Sequence, residues 1–294
     1  MAFQNARSIL KLGSPLSTFK LLVITAASSR PQFRGICNLL LRPFIHDGEV
    51  LLRYRCYDRY RQCYLRLGEV SSDLLSVLEL CARDTYDLDI GFKPDLVIDG
   101  GGNIGLFTLR ASAAAESTHT APVTFVICEP MPVNLEQLRR HLRLNSIQAE
   151  IVEGCLGGEH RTVPFYCREP INSSFDPDKP YLSVLEMPVF TLAEVIGYHP
   201  AKRILVKLDI EGAEIEVLQR FVPAEQRPTY IVGELHHFSL TEKILESIFH
   251  DHGWSFEFLK ISGEDATFRA CSPAAVPLLG WASAVLPAPA MAGG

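Results

Sequence analysis

The sequence lacks closely spaced cysteine pairs, long apolar runs and an excess of positive charge. The eight cysteines form no C-x-x-C pair, and no histidine pair has a cysteine at ligand spacing, which argues against a zinc site. No stretch approaches the roughly 20 apolar residues that cross a bilayer. The net charge of −6 argues against a general nucleic-acid binder. We therefore expect a soluble, cytoplasmic protein with reduced thiols, no metal, no membrane span and no nucleic-acid partner.

The composition is that of a globular protein with an unusual N-terminal region. Hydrophobic residues make up 47% of the chain and charged residues 21%, which supports a sizeable core. The first 46 residues contain six Lys or Arg but no Asp or Glu. This imbalance fits a basic arm or a transit-like segment, but the weak enrichment in Ser and Arg favours a helical extension. We predict an N-terminal extension over 1–70, a main domain over 71–272 and a flexible Ala/Pro-rich tail over 273–294.

Apolar runs alternate with amphipathic segments through the middle of the chain. Predicted strands share a continuous apolar character and lie at Leu96–Ile98, Val123–Cys128, Ile151–Leu156, Ile204–Ile210 and Tyr230–Leu235. Strands alternating with helices predict a parallel sheet that is covered on both faces. Two later runs, Ser255–Ile261 and Ala266–Cys271, flank Ser-Gly-Glu-Asp and predict a closing antiparallel hairpin.

The segment PDLVIDGGGNIG, residues 94–105, is the strongest functional signal. An apolar strand ends in Asp99, and a glycine loop then leads into a predicted helix over Ile104–Ala115. Glycines let the backbone approach a ligand closely, and the helix N-terminus presents free N–H groups to an anionic part of it. Gly100, Gly102 and Gly105 also match the G-x-G-x-x-G of dinucleotide binders. The residues alone therefore leave open a dinucleotide, another nucleotide cofactor or a turn without a ligand.

Three further positions follow predicted strands at the same sheet edge, where ligands bind in such folds. Glu129, in VICEPMP, is placed to accept hydrogen bonds from both ribose hydroxyls of an adenosine ligand, or else is a loop glutamate. Lys207 and Asp209, in KLDIEGAE, lie two apart and so point to one face, as a functional pair or a structural ion pair. His236, in GELHH, is either a general base or a satisfied loop histidine.

These motifs together resemble those of one enzyme family. The pattern D-x-G-x-N-x-G from Asp99 to Gly105, then Glu129-Pro130, then K-x-D-x-E-G-A-E, is similar to the FkbM family of S-adenosylmethionine-dependent methyltransferases. The resemblance runs from about Asp73 to His237, and the K-x-D-x-E-G-A-E run is its most specific part. It implies the class I methyltransferase fold, an α/β Rossmann-like, doubly wound sheet of seven strands with a terminal antiparallel strand.

The resemblance also implies roles for the residues of the first two motifs. Gly101, Asn103 and Gly105 are expected to shape a pocket for S-adenosyl-L-methionine. Asp99 would hold the loop or contact the amino group of the cofactor, and Glu129 would bind its ribose. These five residues are the predicted cofactor site.

Catalysis is predicted at the third motif and the histidine that follows the next strand. Asp209 is expected to orient or deprotonate a hydroxyl of a small molecule or sugar, with Lys207 tuning it and His236 as the alternative base. An NAD(P)-dependent oxidoreductase and a non-catalytic Rossmann-like module stay open as alternatives. The candidate acceptor segments, Glu169–Pro180 and the first 70 residues, contain no pattern that identifies the acceptor.

Overall fold

The structure, a computed structural model, describes residues 14–29, 39–67, 70–83, 85–86, 88, 91–118, 121–167, 181–197 and 199–279. The predicted tail from residue 280 onward, residues 1–13 of the predicted extension and the candidate acceptor segment 169–180 lie outside the described residues.

The secondary structure alternates as the sequence predicts. The strands, in chain order, are β1 Ile45–His46, β2 Glu49–Cys56, β3 Arg59–Arg66, β4 Leu96–Gly100, β5 Thr124–Cys128, β6 Glu150–Val152, β7 Cys155–Leu156, β8 Arg161–Cys167, β9 Ser183–Phe190, β10 Ile204–Leu208, β11 Thr229–Leu235, β12 Ser255–Ser262 and β13 Asp265–Cys271. The helices are α1 Pro15–Ser29, α2 Val70–Val77, α3 Leu106–Thr118, α4 Pro132–Leu144, α5 Leu192–Ile196, α6 Glu214–Phe221, α7 Phe238–Asp251 and α8 Val276–Leu279.

The main sheet has seven strands in the order β12-β13-β11-β10-β4-β5-β6. Strands β11, β10, β4, β5 and β6 pair in parallel, whereas β13 runs antiparallel to both β11 and β12. Every residue of β4 and β10 is buried, because helices cover both faces of the sheet. This order, with its terminal antiparallel hairpin, is the class I methyltransferase fold, and the prediction of fold class is confirmed.

The predicted strand over Ile151–Leu156 is wrong in its extent. The structure divides it into β6, which pairs with β5, and β7, which belongs to a separate sheet of order β7-β9-β8. Gly154 lies at the division, where a Cβ atom would stand 2.6 Å from the carbonyl oxygen of Pro188. This close approach of two backbones lets the chain leave the main sheet, and the apolar pattern carries no sign of it.

The N-terminal segment forms a layer of its own over the glycine loop. In this segment β2 and β3 form an antiparallel pair, joined by a turn at Tyr57 with φ 55°. Leu52 and Leu65 of this pair share a buried cluster with Ile104 and Leu109, which come from the loop and α3. The helix α1 contributes to the same cluster.

Helix α2 is short and is anchored by one ion pair. It ends at Val77 and continues as a wider, π-type turn over Leu78–Arg83. Asp73, in the first turn, accepts hydrogen bonds from the Nη2, Nε and backbone N–H groups of Arg66 at 2.6, 2.9 and 2.9 Å. This contact fixes the start of α2 to the end of β3.

The cysteines of the described residues lie in the interior of the fold. Six cysteines are free and buried, namely Cys56, Cys63, Cys128, Cys155, Cys167 and Cys271. Burial raises the pKa of the Cys155 and Cys271 thiols to about 12, so both remain protonated and unreactive. Among the helices described, none combines the length and the apolar character needed to cross a membrane.

His141 of α4 ties the N-terminal layer to the main domain. Its fully buried ring accepts a hydrogen bond at Nε2 from the N–H of Tyr64 at 2.9 Å. Its Nδ1 lies 2.7 Å from the carbonyl oxygen of Ile104, so Nδ1 carries the proton and the ring is neutral. Burial lowers the pKa of His141 to about 4, although the Ile104 carbonyl opposes this shift.

We expect His141 to make the fold sensitive to acid. A histidine in the unfolded chain titrates near about 6.5, so the unfolded state binds a proton that the folded state excludes. The contribution of His141 is complete above about pH 6.5 and falls as the pH decreases toward 4. Between pH 7 and pH 5 the loss is about 2 kcal/mol. Urea unfolding at these two pH values measures it.

The replacement His141→Gln should reduce this difference in unfolding free energy between pH 7 and pH 5. The matched control is His250→Gln, at an exposed histidine near the end of α7, which should retain the wild-type difference. An unaltered pH dependence in the His141 variant would contradict the assignment.

Candidate active site

The glycine loop is shaped by close contacts with its neighbours. Gly101 has φ +72° and Gly105 φ +85°, a region that side chains rarely adopt. A Cβ at Gly101 would lie 1.8 Å from the carbonyl oxygen of Asp209, and one at Gly105 would lie 2.5 Å from Cδ1 of Leu138. The loop therefore packs directly on the end of β10 and on α4, without room for a side chain at either glycine.

Asp99 lies beneath this loop and is fully buried. Its Oδ2 accepts a hydrogen bond from the hydroxyl of Thr108 in α3 at 2.7 Å, and its Oδ1 lies 3.6 Å from Nζ of Lys207. Both partners are parts of the scaffold. These contacts fit the first of the two predicted roles, which is to hold the loop.

Glu129 follows β5 and holds the loop from the other side. With 4% of its surface exposed, it accepts the N–H of Asn103 at Oε2 (2.7 Å) and that of Met131 at Oε1 (2.9 Å). The side chain of Asn134 also donates to Oε1, at 3.3 Å. Burial raises the pKa of the Glu129 carboxyl to about 7, and the N–H donors offset part of this rise.

Asn103 connects the loop to α2. Its Nδ2 donates to the hydroxyl of Ser76 at 3.3 Å, and its backbone has φ 48°. Its Oδ1 is buried and accepts no hydrogen bond from the part of the chain that the structure describes. A buried acceptor without a donor costs free energy, so this atom is a natural contact for a ligand.

Lys207 is a structural centre of the site. Its Nζ donates to the carbonyl oxygens of Gly101 at 2.6 Å and Gly100 at 3.1 Å. It also lies 3.6 Å from carboxylate oxygens of both Asp99 and Asp209. Burial opposes its charge, but Asp209, Asp99 and Glu129 together raise its pKa above the ordinary range. The ammonium therefore stays charged and holds the glycine loop against β10.

Asp209 follows β10, and 31% of its side chain is exposed. Its Oδ2 accepts a hydrogen bond from the hydroxyl of Tyr86 at 3.0 Å and lies 3.6 Å from Nζ of Lys207. Burial acts to raise its pKa, but Lys207, His236 and Tyr86 together lower it. The carboxylate is therefore ionised and partly open to a substrate.

Sequence reasoning did not identify Tyr86 as a site residue. It lies in the segment between α2 and β4, where no periodic pattern or motif marks a position. Its ring is buried against Phe107, with 5.9 Å between ring centroids. Burial and the neighbouring Asp209 raise the pKa of its hydroxyl, which therefore remains a hydrogen-bond donor.

His236 follows β11 and is oriented by Glu214. The buried Glu214 Oε1 accepts the N–H groups of Ile210 at 3.0 Å and Gly212 at 3.2 Å, and lies 3.0 Å from Nδ1 of His236. Burial opposes the charge of the ring, but Glu214 and other acids raise its pKa to about 10. The imidazole Nε2 lies 3.7 Å from Oε2 of Glu211. Burial raises the pKa of that Glu211 carboxyl to about 8.

All eight predicted site residues lie at one edge of the main sheet. Asp99, Glu129, Asp209 and His236 end or follow the strands β4, β5, β10 and β11, which are neighbours in the order β11-β10-β4-β5. This edge has the glycine loop and the Glu129 carboxylate on one side, and the ionised Asp209 with the cationic His236 on the other. This arrangement is suited to holding a nucleoside cofactor next to an acceptor group.

Two solved structures illustrate the likeness of this fold to methyltransferases. A 16S rRNA methyltransferase from T. thermophilus in complex with AdoMet and guanosine has a TM-score of 0.42 and 10% identity, over 87% of this chain and 69% of that one. A methyltransferase from Geobacter sulfurreducens has a TM-score of 0.38 and 13% identity, over 85% of this chain and 89% of that one. The fold class itself rests on the strand order given above.

Sequence comparison gives a nearer relative. The protein named Methyltransferase 1 from Beauveria bassiana is 29% identical over 156 residues, which cover 45% of this chain and 61% of that protein. The chain thus spans less than two thirds of that relative. The family model described as the methyltransferase FkbM domain matches residues 99–273, from the end of β4 to just beyond β13. Because this match covers more than half of the 294 residues, the chain belongs to the FkbM methyltransferase domain family.

Proposed function

We propose that this protein is an S-adenosyl-L-methionine-dependent O-methyltransferase that acts on a hydroxyl group of a small molecule or sugar. The observation that carries the proposal is the common position of the glycine loop, Glu129 and Asp209 at one edge of the sheet. Membership of the FkbM family supports transfer of a methyl group.

The residues on the loop side fit S-adenosyl-L-methionine. Gly101 and Gly105 let the loop turn tightly against the end of β10 and α4, and the buried Oδ1 of Asn103 lacks a donor that an ammonium group supplies. Glu129 can accept the ribose hydroxyls in addition to its present donors, because each carboxylate oxygen accepts more than one hydrogen bond. When bound, this cofactor provides a methyl group that is already activated by its sulfonium. The protein has then to align the acceptor and remove a proton.

Asp209 is the residue placed to receive the acceptor proton. Its contacts with Tyr86 and Lys207 both fall on Oδ2, so Oδ1 is the atom that we assign to the acceptor hydroxyl. Lys207 keeps the carboxylate ionised, and Tyr86 fixes its rotation. His236 is the weaker candidate for a base, since its raised pKa keeps the ring protonated at neutral pH.

We expect S-adenosyl-L-methionine and S-adenosylhomocysteine to raise the melting temperature, while NAD and NADP leave it unchanged. A ligand at 100 times its dissociation constant stabilises the folded state by about 2.7 kcal/mol. Thermal unfolding of the full chain with each of the four compounds at matched concentrations measures the effect. Transfer of labelled methyl groups to a panel of sugars and hydroxylated small molecules then tests for turnover.

Each alternative function predicts a different result. A larger shift with NAD or NADP would replace the methyltransferase proposal with an oxidoreductase. Stabilisation by S-adenosyl-L-methionine without transfer to any acceptor of the panel would favour a binding module.

A further inference from the structure

Three side chains that commonly bind metal ions converge beside the acceptor position. Asp209, Glu211 and His236 follow β10 and β11, and the nearest ligand atoms of the three all lie within 4.8 Å of one another. Oxygen and nitrogen ligands lie about 2.0–2.2 Å from a divalent ion such as Zn²⁺, so two ligands of one ion are at most about 4.4 Å apart. The 3.7 Å between Nε2 of His236 and Oε2 of Glu211 already falls within this distance.

The imidazole of His236 has the support that metal-bound histidines have. Its Nδ1 donates to Glu214, a buried carboxylate that two backbone N–H groups hold in place. A metal-ligating histidine almost always donates its other ring N–H to a carboxylate, a carbonyl or water, which fixes the ring. Glu214 is not one of the three ligands and supports them from outside. A cation at this position replaces the proton that Nε2 otherwise carries.

The charges around these side chains favour a cation. Two further acids, Glu234 and Asp265, form an overlapping set with His236 whose ligand atoms also lie within 4.8 Å. Lys207 donates to the carbonyl oxygens of the glycine loop and is 3.6 Å from Asp209. Lys207 and the His236 ring are two positive charges among five carboxyl groups, those of Asp209, Glu211, Glu214, Glu234 and Asp265.

We propose that Asp209, Glu211 and His236 bind one divalent cation next to the acceptor hydroxyl. Two carboxylates and one imidazole form a mixed donor set, which suits a transition metal such as Mn²⁺ better than Ca²⁺ or Mg²⁺. The placement beside an acceptor rests on the proposed function, whereas binding of the ion does not. No metal motif marks these ligands in the sequence, since their positions, 209, 211 and 236, match no standard spacing.

The test is a titration of the full chain with Mn²⁺. Binding is measured by calorimetry and, independently, by the loss of the electron paramagnetic resonance signal of free Mn²⁺. We expect one Mn²⁺ per chain, and at least about tenfold weaker binding in Glu211→Gln, which removes a ligand charge and keeps the size of the side chain. Glu214→Gln should weaken binding by about 10–100-fold through the orientation of His236. The matched control, Glu246→Gln at an exposed position of α7, should bind as the wild type does.

Two outcomes would overturn the assignment. One is the absence of stoichiometric Mn²⁺ binding to the wild type, or equal binding by wild type and Glu211→Gln. The other is binding that is lost in Asp265→Asn and retained in Glu211→Gln, which would place the ion in the overlapping set. Thermal shifts with S-adenosyl-L-methionine in EDTA separate this proposal from the previous one. If S-adenosyl-L-methionine still raises the melting temperature but Mn²⁺ does not bind, only the metal-site proposal is rejected. If Mn²⁺ binds but S-adenosyl-L-methionine does not raise the melting temperature, only the methyltransferase proposal is rejected.

Discussion

Replacing Asp209 by Asn is expected to lower the rate of methyl transfer by about 10²–10⁴-fold, the usual effect of removing a general base. The amide keeps the size of the side chain and can still accept the Tyr86 hydroxyl, but it cannot take a proton. The affinity for S-adenosyl-L-methionine should change little, because the predicted cofactor contacts lie on the loop and at Glu129. Initial rates with the best acceptor of the panel, and calorimetry with the cofactor, measure the two quantities separately.

Two neighbours of Asp209 provide the comparison. In EDTA, where no cation replaces the proton on Nε2, His236→Ala should reduce the rate less, since a ring whose pKa is about 10 is already protonated at neutral pH. Tyr86→Phe should also reduce the rate less than Asp209→Asn does. It should move the acidic limb of the pH–rate profile to higher pH, because the Tyr86 hydroxyl lowers the pKa of Asp209 in the wild type and its removal raises that pKa. An inactive His236→Ala beside an active Asp209→Asn would make His236 the base and Asp209 a structural residue.

The elements that could be predicted are those whose signal lies within a short stretch of sequence. Strands β4 and β10 are mostly apolar, since both faces of the sheet are buried. β4 ends in Asp99 and Gly100, and β10 contains Lys207 near its end and is followed by Asp209. The edge occupied by the site follows from the same runs, because parallel strands place their carboxyl ends together. The turn sequence Ser-Gly-Glu-Asp between two apolar runs predicts the hairpin of β12 and β13.

The parts that escaped prediction depend on contacts between distant segments. Lys207 binds the carbonyl of Gly101, which precedes it by 106 residues, and no local pattern indicates this partner. Tyr86 reaches Asp209 across 123 residues from a segment without periodicity. The strand division at Gly154 follows from an approach to Pro188, in another sheet strand. Such pairings are set by tertiary packing, so a sequence shows the partners only when both belong to a known motif.

At pH 8, above the Glu129 pKa of about 7, the replacement Glu129→Gln should weaken binding of S-adenosyl-L-methionine by about 1.5–3 kcal/mol, the usual range for hydrogen bonds to a charged group. This corresponds to a dissociation constant about 10–150 times higher. In the wild type, the N–H groups of Asn103 and Met131 donate to different oxygens of the carboxylate. The amide has only one acceptor oxygen, so its NH₂ group must face one of these two donors, and that hydrogen bond is lost. The loop loses an anchor at the same time as the ribose loses a charged acceptor. Calorimetry with S-adenosyl-L-methionine and S-adenosylhomocysteine measures the affinity.

The same variant separates cofactor binding from support of the loop. Because Glu129 is 4% exposed and accepts three N–H groups, the ligand-free protein should also lose about 1–3 kcal/mol of unfolding free energy in urea. Glu153→Gln is the matched control, since Glu153 is an exposed glutamate paired with Arg139 at the surface, and neither quantity should change there. Lower stability with unchanged cofactor affinity would restrict Glu129 to the scaffold and place the ribose elsewhere.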